Sequence, residues 1–164
     1  MNELAKALTA DSAHATPAQI LEALDEPLVH ATAPGAPRTI YQELWHITYW
    51  QQVSLDWIGG IETPSPSQND LSFPTAQQTA QEPWEQLCRR FFHDNQLAGA
   101  AASDESALNT IVRCPSPPGL PTRSMTIREQ LESLAAHNAY HFGRIVLLRQ
   151  MLASWPPPSG GFSW

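Results

Sequence analysis

Apolar positions recur at helical spacing in two long segments, and these organise the rest of the chain. In the second half Ile127, Leu131, Leu134, Asn138, His141, Ile145, Leu148 and Leu152 step alternately by four and three residues. That rhythm predicts one long helix with a core-facing seam. Thr126 and Glu129 form a capping box at its start, and the pattern runs to about Ala153. In the first half TIYQELWHITYWQQVSLDWIGG predicts a second long helix, capped by Thr39 and Gln42 and ended by Gly59-Gly60. Ile40, Leu44, Ile47 and Ile58 mark one apolar edge of it. Glu43, His46, Trp50, Val53 and Trp57 form an adjacent, aromatic stripe.

Two further helical regions are shorter or broken. One runs from Asn2 to about Thr9 and resumes after Thr16-Pro17 into AQILEALDEPLVH; the other follows Thr79, with Pro83 in its first turn, through PWEQLCRRFFHDNQLAGAAA. The 15 prolines cluster between these regions, and no segment shows strand alternation with hairpin turns. The pattern predicts an all-α single domain over residues 1–164, a four-helix bundle with long Pro-rich connections at 61–78 and 104–125. Such connections cross over the bundle or build one mouth of it. The Pro/Gly-rich tail at 154–164 either folds back on Trp155, Phe162 and Trp164 or stays disordered.

Charge removes one class of function. Nine Lys and Arg stand against sixteen Asp and Glu, a net charge of −7, with Lys6 the sole lysine. Nucleic-acid binding needs clustered cations to track phosphates, so no nucleic-acid partner is expected. No stretch approaches the roughly 20 apolar residues that span a bilayer, so no membrane partner is expected. The N-terminus lacks the unbroken apolar run of a signal peptide. Cys88 and Cys114 form no CxxC pair and read as reduced thiols, so the expected compartment is the cytoplasm.

The chemistry is concentrated in histidine. His137 and His141 lie one turn apart on the core side of the last helix, where an imidazole lowers helix propensity and brings polar nitrogens inward. Two readings stand: core histidines with satisfied nitrogens, or a His-x-x-x-His pair that holds one metal ion. His46, on the aromatic stripe of the other long helix, supplies a third inward imidazole. Three histidines on two facing helices with no obvious fourth ligand match an open metal site. His93 reaches it only if its face turns inward; His14 and His30 fall in turn-rich segments.

The blocks HNAYHFGRIVLLRQMLASWPPPSGG and YQELWHITYWQQVSLDWIGG closely resemble the last and second helices of the DinB/YfiT-like superfamily. The family's motif, one His on helix two and His-x-x-x-His on helix four, falls on His46, His137 and His141. The resemblance implies a four-helix bundle, a divalent metal (zinc or nickel being usual) and frequent homodimers. It also implies activities that include thiol-dependent transferases and isomerases using a low-molecular-weight thiol, alongside members without known activity.

A three-imidazole site leaves the ion cationic, which favours deprotonating a bound water, alcohol or thiol. Two reactions are therefore expected, a metal-dependent hydrolysis and a thiol-dependent transfer; a non-catalytic metal-binding or stress-related helical protein is the alternative. Glu43, one turn before His46, either orients a ligand or acts as a base, although a solvated helix residue is its plainer reading. Asn138 is placed to hydrogen-bond across the bundle. Arg144 is placed to bind a substrate carboxylate or, in the preferred reading, to pair with a neighbouring Glu.

Overall fold

The computed structural model describes residues 1–9 and 14–161 of the chain. Phe162 and Trp164, named above as tail anchors, lie outside the described residues.

Local capping chemistry sets most helix starts. Helix α1 spans Glu3–Thr9, α2 Pro17–Leu21, α3 Glu26–His30 and α4 Ile40–Ile58. The side chains of Thr16, Asp25 and Thr39 accept first-turn amides of α2, α3 and α4, satisfying donors with no partner inside the helix. The segment AQILEALDEPLVH is thus two one-turn helices rather than one: Asp25 with Pro27 restarts what Glu22, in extended conformation, has ended. Beyond α4, a 3-10 turn at Asn69–Ser72 precedes α5 (Ala76–Gln81) and α6 (Trp84–Ser103). The start expected after Thr79 is corrected here. Thr75 and Gln78 form the capping box, and the helix stops before Pro83, whose ring forces Glu82 out of helical conformation (φ −124°, ψ 96°).

The second departure lies in the connection after α6. Ile111–Cys114 (β1) pairs antiparallel with Arg123–Thr126 (β2), Ile111 opposite Thr126 and Cys114 opposite Arg123. Strands of four residues are too short to show alternation in sequence, and their pairing depends on contacts made after folding. Strand β2 runs directly into α7 (Ile127–Met151), whose first amides are taken by the carbonyls of Thr110 and Leu108 and by the Thr126 hydroxyl.

Among the described residues, the regular structure is helical apart from this ribbon. Helix α4 packs along α7 and α6, while α1 packs against α6 and α7. Contacts from Glu43 to His141, His46 to His137 and Ser54 to Gln130 run α4 and α7 antiparallel. Their apolar residues fall into two separate cores. One gathers Ile40, Leu44, Ile47, Phe91, Phe142 and Ile145; the other gathers Val53, Trp57, Ala98, Leu108, Leu131 and Leu134. A buried polar layer lies between them: Thr48 and Gln51 on α4, Asp94 and Asn95 on α6, Asn138 and His141 on α7. Gln51 donates to the Phe91 carbonyl at 3.2 Å and accepts from Asn138 Nδ2 at 3.0 Å, stitching the three helices at that level.

The ends are closed by a buried arginine. Arg149, only 1 % exposed, donates to the carbonyls of Ile20 (2.6 Å) and Ser154 (2.7 Å). Trp155 packs on the first core, and Ser159 bonds Glu22, so the tail through Gly161 folds back toward α2. Replacing Arg149 with Met leaves those carbonyls without donors, and a buried unpaired acceptor costs about 1–3 kcal/mol. The Arg149→Met variant is expected to lose at least that much unfolding free energy in a urea titration.

Candidate metal centre

The histidines of α4 and α7 converge at one end of the polar layer. His46, His137 and His141 each bring one ring nitrogen within 4.8 Å of the other two. His46 Nε2 and His137 Nε2 are 3.1 Å apart. Two nitrogens bound tetrahedrally to zinc at about 2.0–2.1 Å would stand about 3.3 Å from each other, so this spacing suits a shared ion. The i, i+4 placement on α7 sets the His137 and His141 ring centroids 4.5 Å apart with the planes tilted by 48°, and the antiparallel pairing of α4 brings His46 to 4.5 Å from His141.

The outward nitrogens of two rings are held by the protein. His46 Nδ1 donates to the Ser72 carbonyl at 3.0 Å, which leaves its Nε2 as a free lone pair. His141 Nδ1 contacts Glu43 Oε2 at 2.6 Å, which aims its Nε2 into the cluster in the same way. This backing of imidazoles by a carbonyl and a carboxylate is what metal-ligating histidines require. Glu43 is fully buried, and its other oxygen lies 2.8 Å from the Arg144 guanidinium. The contact is an ion pair rather than an aligned hydrogen bond, since that oxygen accepts none. It offsets the cost of burying the Glu43 charge.

Loops supply the remaining walls. Phe73, just past the 3-10 turn, stacks on the His46 ring (4.2 Å between centroids, 11° between planes), and the Arg38 guanidinium covers the Phe73 ring. Arg38 is itself paired with Asp70 at 2.6 Å. Trp50 meets both His46 and His137 edge-on. Burial, reinforced by the neighbouring His141, pushes His46 down to about 3 and His137 down to about 4. Both are therefore neutral bases at pH 7, the form that donates to a metal. His137 is the half-buried member of the three, and a cleft of about 200 Å³ opens against it between Trp50, Trp57 and Leu134. A site with three donors and one open side fits a divalent ion that keeps a position for water or substrate.

Other expectations sort clearly. Glu43 is not a solvated helix residue: α7 covers it, and its spacing from His46 cannot reveal a partner that lies 98 positions away. Arg144 pairs with that Glu43, and Asn138 bonds Gln51 across the helices. His93 is exposed beside Asp94, and His30 pairs with Glu26 and packs at a tilt against Tyr41, both apart from the cluster. Ser72 and Phe73 were not legible as site residues. One acts through its backbone carbonyl and the other through a ring face, and neither function marks a sequence.

The sequence pattern of the DinB superfamily matches residues 1–145. No curated protein sequence matches the chain. The chain belongs to the DinB superfamily, whose match includes both histidine-bearing stretches of α4 and α7.

Neither of the protein's own thiols belongs to the histidine cluster, although Cys114 Sγ donates to Gln130 Oε1 at 3.7 Å behind the cleft wall. Burial pushes Cys88 up to about 12, with Glu85 adding to the effect, and burial raises Cys114 as well. At pH 8 a thiol of pKa about 12 is ionised to roughly one part in ten thousand, and the thiolate is the reactive form. Native protein at pH 8 is expected to react with iodoacetamide at Cys88 at least a hundredfold more slowly than protein in denaturant. Peptide mass mapping of the time course checks it.

Proposed function

We propose that this chain is a divalent-metal enzyme that activates a small nucleophile at His46, His137 and His141, with a thiol-dependent transferase as the leading reading. The observation that carries it is the convergence of three ring nitrogens on one open point, two of them oriented from behind by Glu43 and the Ser72 carbonyl. Three imidazoles suit zinc, nickel, copper or iron, and the family resemblance favours zinc or nickel among them. A divalent ion held there supplies positive charge that lowers the pKa of a thiol or water bound beside it.

The lining of the cleft favours thiol over water. Among the described residues it presents serine hydroxyls, Gln130, Arg123 and His137, and no carboxylate. Glu43 is engaged by His141 and Arg144 and does not line the cleft. A nucleophile there must lose its proton without a carboxylate base; before the ion lowers either value, a thiol near pKa 8.5 starts far closer to ionisation than water near 15.7. Cys88 and Cys114, outside the cleft lining, leave that thiol to a diffusible molecule. Hydrolysis is the second reading and uses the same three histidines.

In this reading each residue has a separable role. His46 and His141 hold their donor atoms in place through Nδ1, His137 faces the cleft, and Arg144 keeps Glu43 compensated. Elemental mass spectrometry on untagged protein is expected to find about one divalent ion per chain, and His46→Ala, His137→Ala and His141→Ala are each expected to lose it while keeping helical circular dichroism. Unchanged metal content in those variants would sink the assignment. Glu43→Gln keeps an acceptor for His141 but removes the charge, and it is expected to weaken metal affinity about 10–100-fold in a competition titration with a chromophoric chelator. Chelation is expected to abolish thiol consumption without unfolding the chain; unfolding on chelation would instead mark a structural ion.

A further inference from the structure

The cleft beside His137 carries a cation that the proposed metal centre does not use. Of the nine Lys and Arg, six pair with carboxylates. Arg149 is occupied by backbone carbonyls. Arg123 and Arg128 make no ion pair among the described residues, and of these two only Arg123 lines the cleft. Arg123 stands on β2, opposite Cys114, and the ribbon fixes its backbone at the cleft wall.

Arg123 and Trp50 also border a second, outer cavity of about 460 Å³, walled by Ser65–Asn69 from one long connection and by Ser116, Pro117 and Leu120 from the other. Trp50 and Arg123 are thus walls common to both spaces, and Arg123 is the cation that both present. Inside, Trp50, Trp57 and Leu134 offer flat apolar walls, and Ser54, Gln130 and Ser133 offer neutral polar atoms. Gln130 Nε2 is already committed to Ser54 Oγ at 2.9 Å. The inner cleft is smaller than a drug-sized pocket, which limits its occupant to a small molecule.

We propose that this cleft is a subsite for a small organic carboxylate, with its carboxylate on Arg123 and its apolar or aromatic body between Trp50, Trp57 and Leu134. A guanidinium fork matches a carboxylate in two parallel hydrogen bonds. One unpaired Arg balances one negative charge. A phosphate would call for further cations or free amides, and the first amides of α7 are already taken by Thr110, Leu108 and Thr126. Bound in this way, the body of the molecule extends toward His137 with its charged end held away from the three ring nitrogens. The inference rests on the reading of those nitrogens as the reactive centre, and it names the substrate class for it.

The probe is phenylacetate, with neutral phenylacetamide as its isostere, titrated calorimetrically into metal-loaded and chelator-treated protein. Phenylacetate is expected to bind both forms, with affinity lowered tenfold or more in Arg123→Met and unchanged in Arg128→Met. Phenylacetamide is expected to bind weakly and equally to wild type and Arg123→Met. Melting curves establish that both variants fold. Equal phenylacetate affinity in wild type and Arg123→Met, equal weakening in Arg128→Met, or no binding by folded protein would overturn the subsite. Arg123-dependent binding by a chain that takes up no metal would support the subsite and overturn the metal reading, so the two fail separately.

Discussion

A carboxylate with no access to water stands at the point on which this structure depends. Glu43 on α4 is buried under α7, and an unpaired charge there would be strongly unfavourable, about 3–5 kcal/mol for removal of a partner from a buried pair. It is tolerated because α7 brings two partners to it one turn apart, the hydrogen-bonded His141 at 2.6 Å and the charged Arg144 at 2.8 Å. This arrangement also specifies register. Sliding α7 by one turn against α4 would leave Glu43 at most one of these two partners and move His137 away from His46. The interaction that offsets the buried charge is thus the one that aligns three imidazoles.

The polar layer around this pair divides the apolar interior into two cores. Each core alone would allow α4, α6 and α7 to slide, since apolar contact is non-directional. The hydrogen bonds from Gln51 to Phe91 and Asn138 are directional and leave one satisfied alignment. Depressed basicity at His46 and His137 follows from the same burial that demands this satisfaction. Stability and site chemistry therefore have a common origin in a few polar groups enclosed by helices.

The Pro-rich connections wall the histidine cluster and the cleft beside it. The segment between α4 and α5 places the Ser72 carbonyl behind His46 and the Phe73 ring on its face. It is anchored by Trp57 to the Thr63 carbonyl and by Ser65 to the Pro115 carbonyl, so the two long connections hold each other. The second connection carries the ribbon that delivers Arg123 to the cleft. Proline reduces the conformations open to such segments, which lowers the entropy lost when they order against the helices.

The helices of the site were legible in the residues because their information is local. The stripe from Ile127 to Leu152, the capping boxes at Thr39 and Thr126, and the i, i+4 histidines all depend on neighbours within a turn or two. The family resemblance rested on the same stretches. Proline effects are also local, yet the break at Pro83 was misplaced because the stronger cap lay at Thr75, one turn upstream of Thr79. What only the tertiary structure decided is every relation between distant positions. The ribbon joins two four-residue stretches too short to announce themselves. Glu43 looked like a surface acid until α7 covered it. The Ser72 carbonyl carries no side-chain signature at all. Periodicity and capping are written in adjacent residues, whereas burial, ion pairing and the convergence of ring nitrogens depend on which helices meet and in what register.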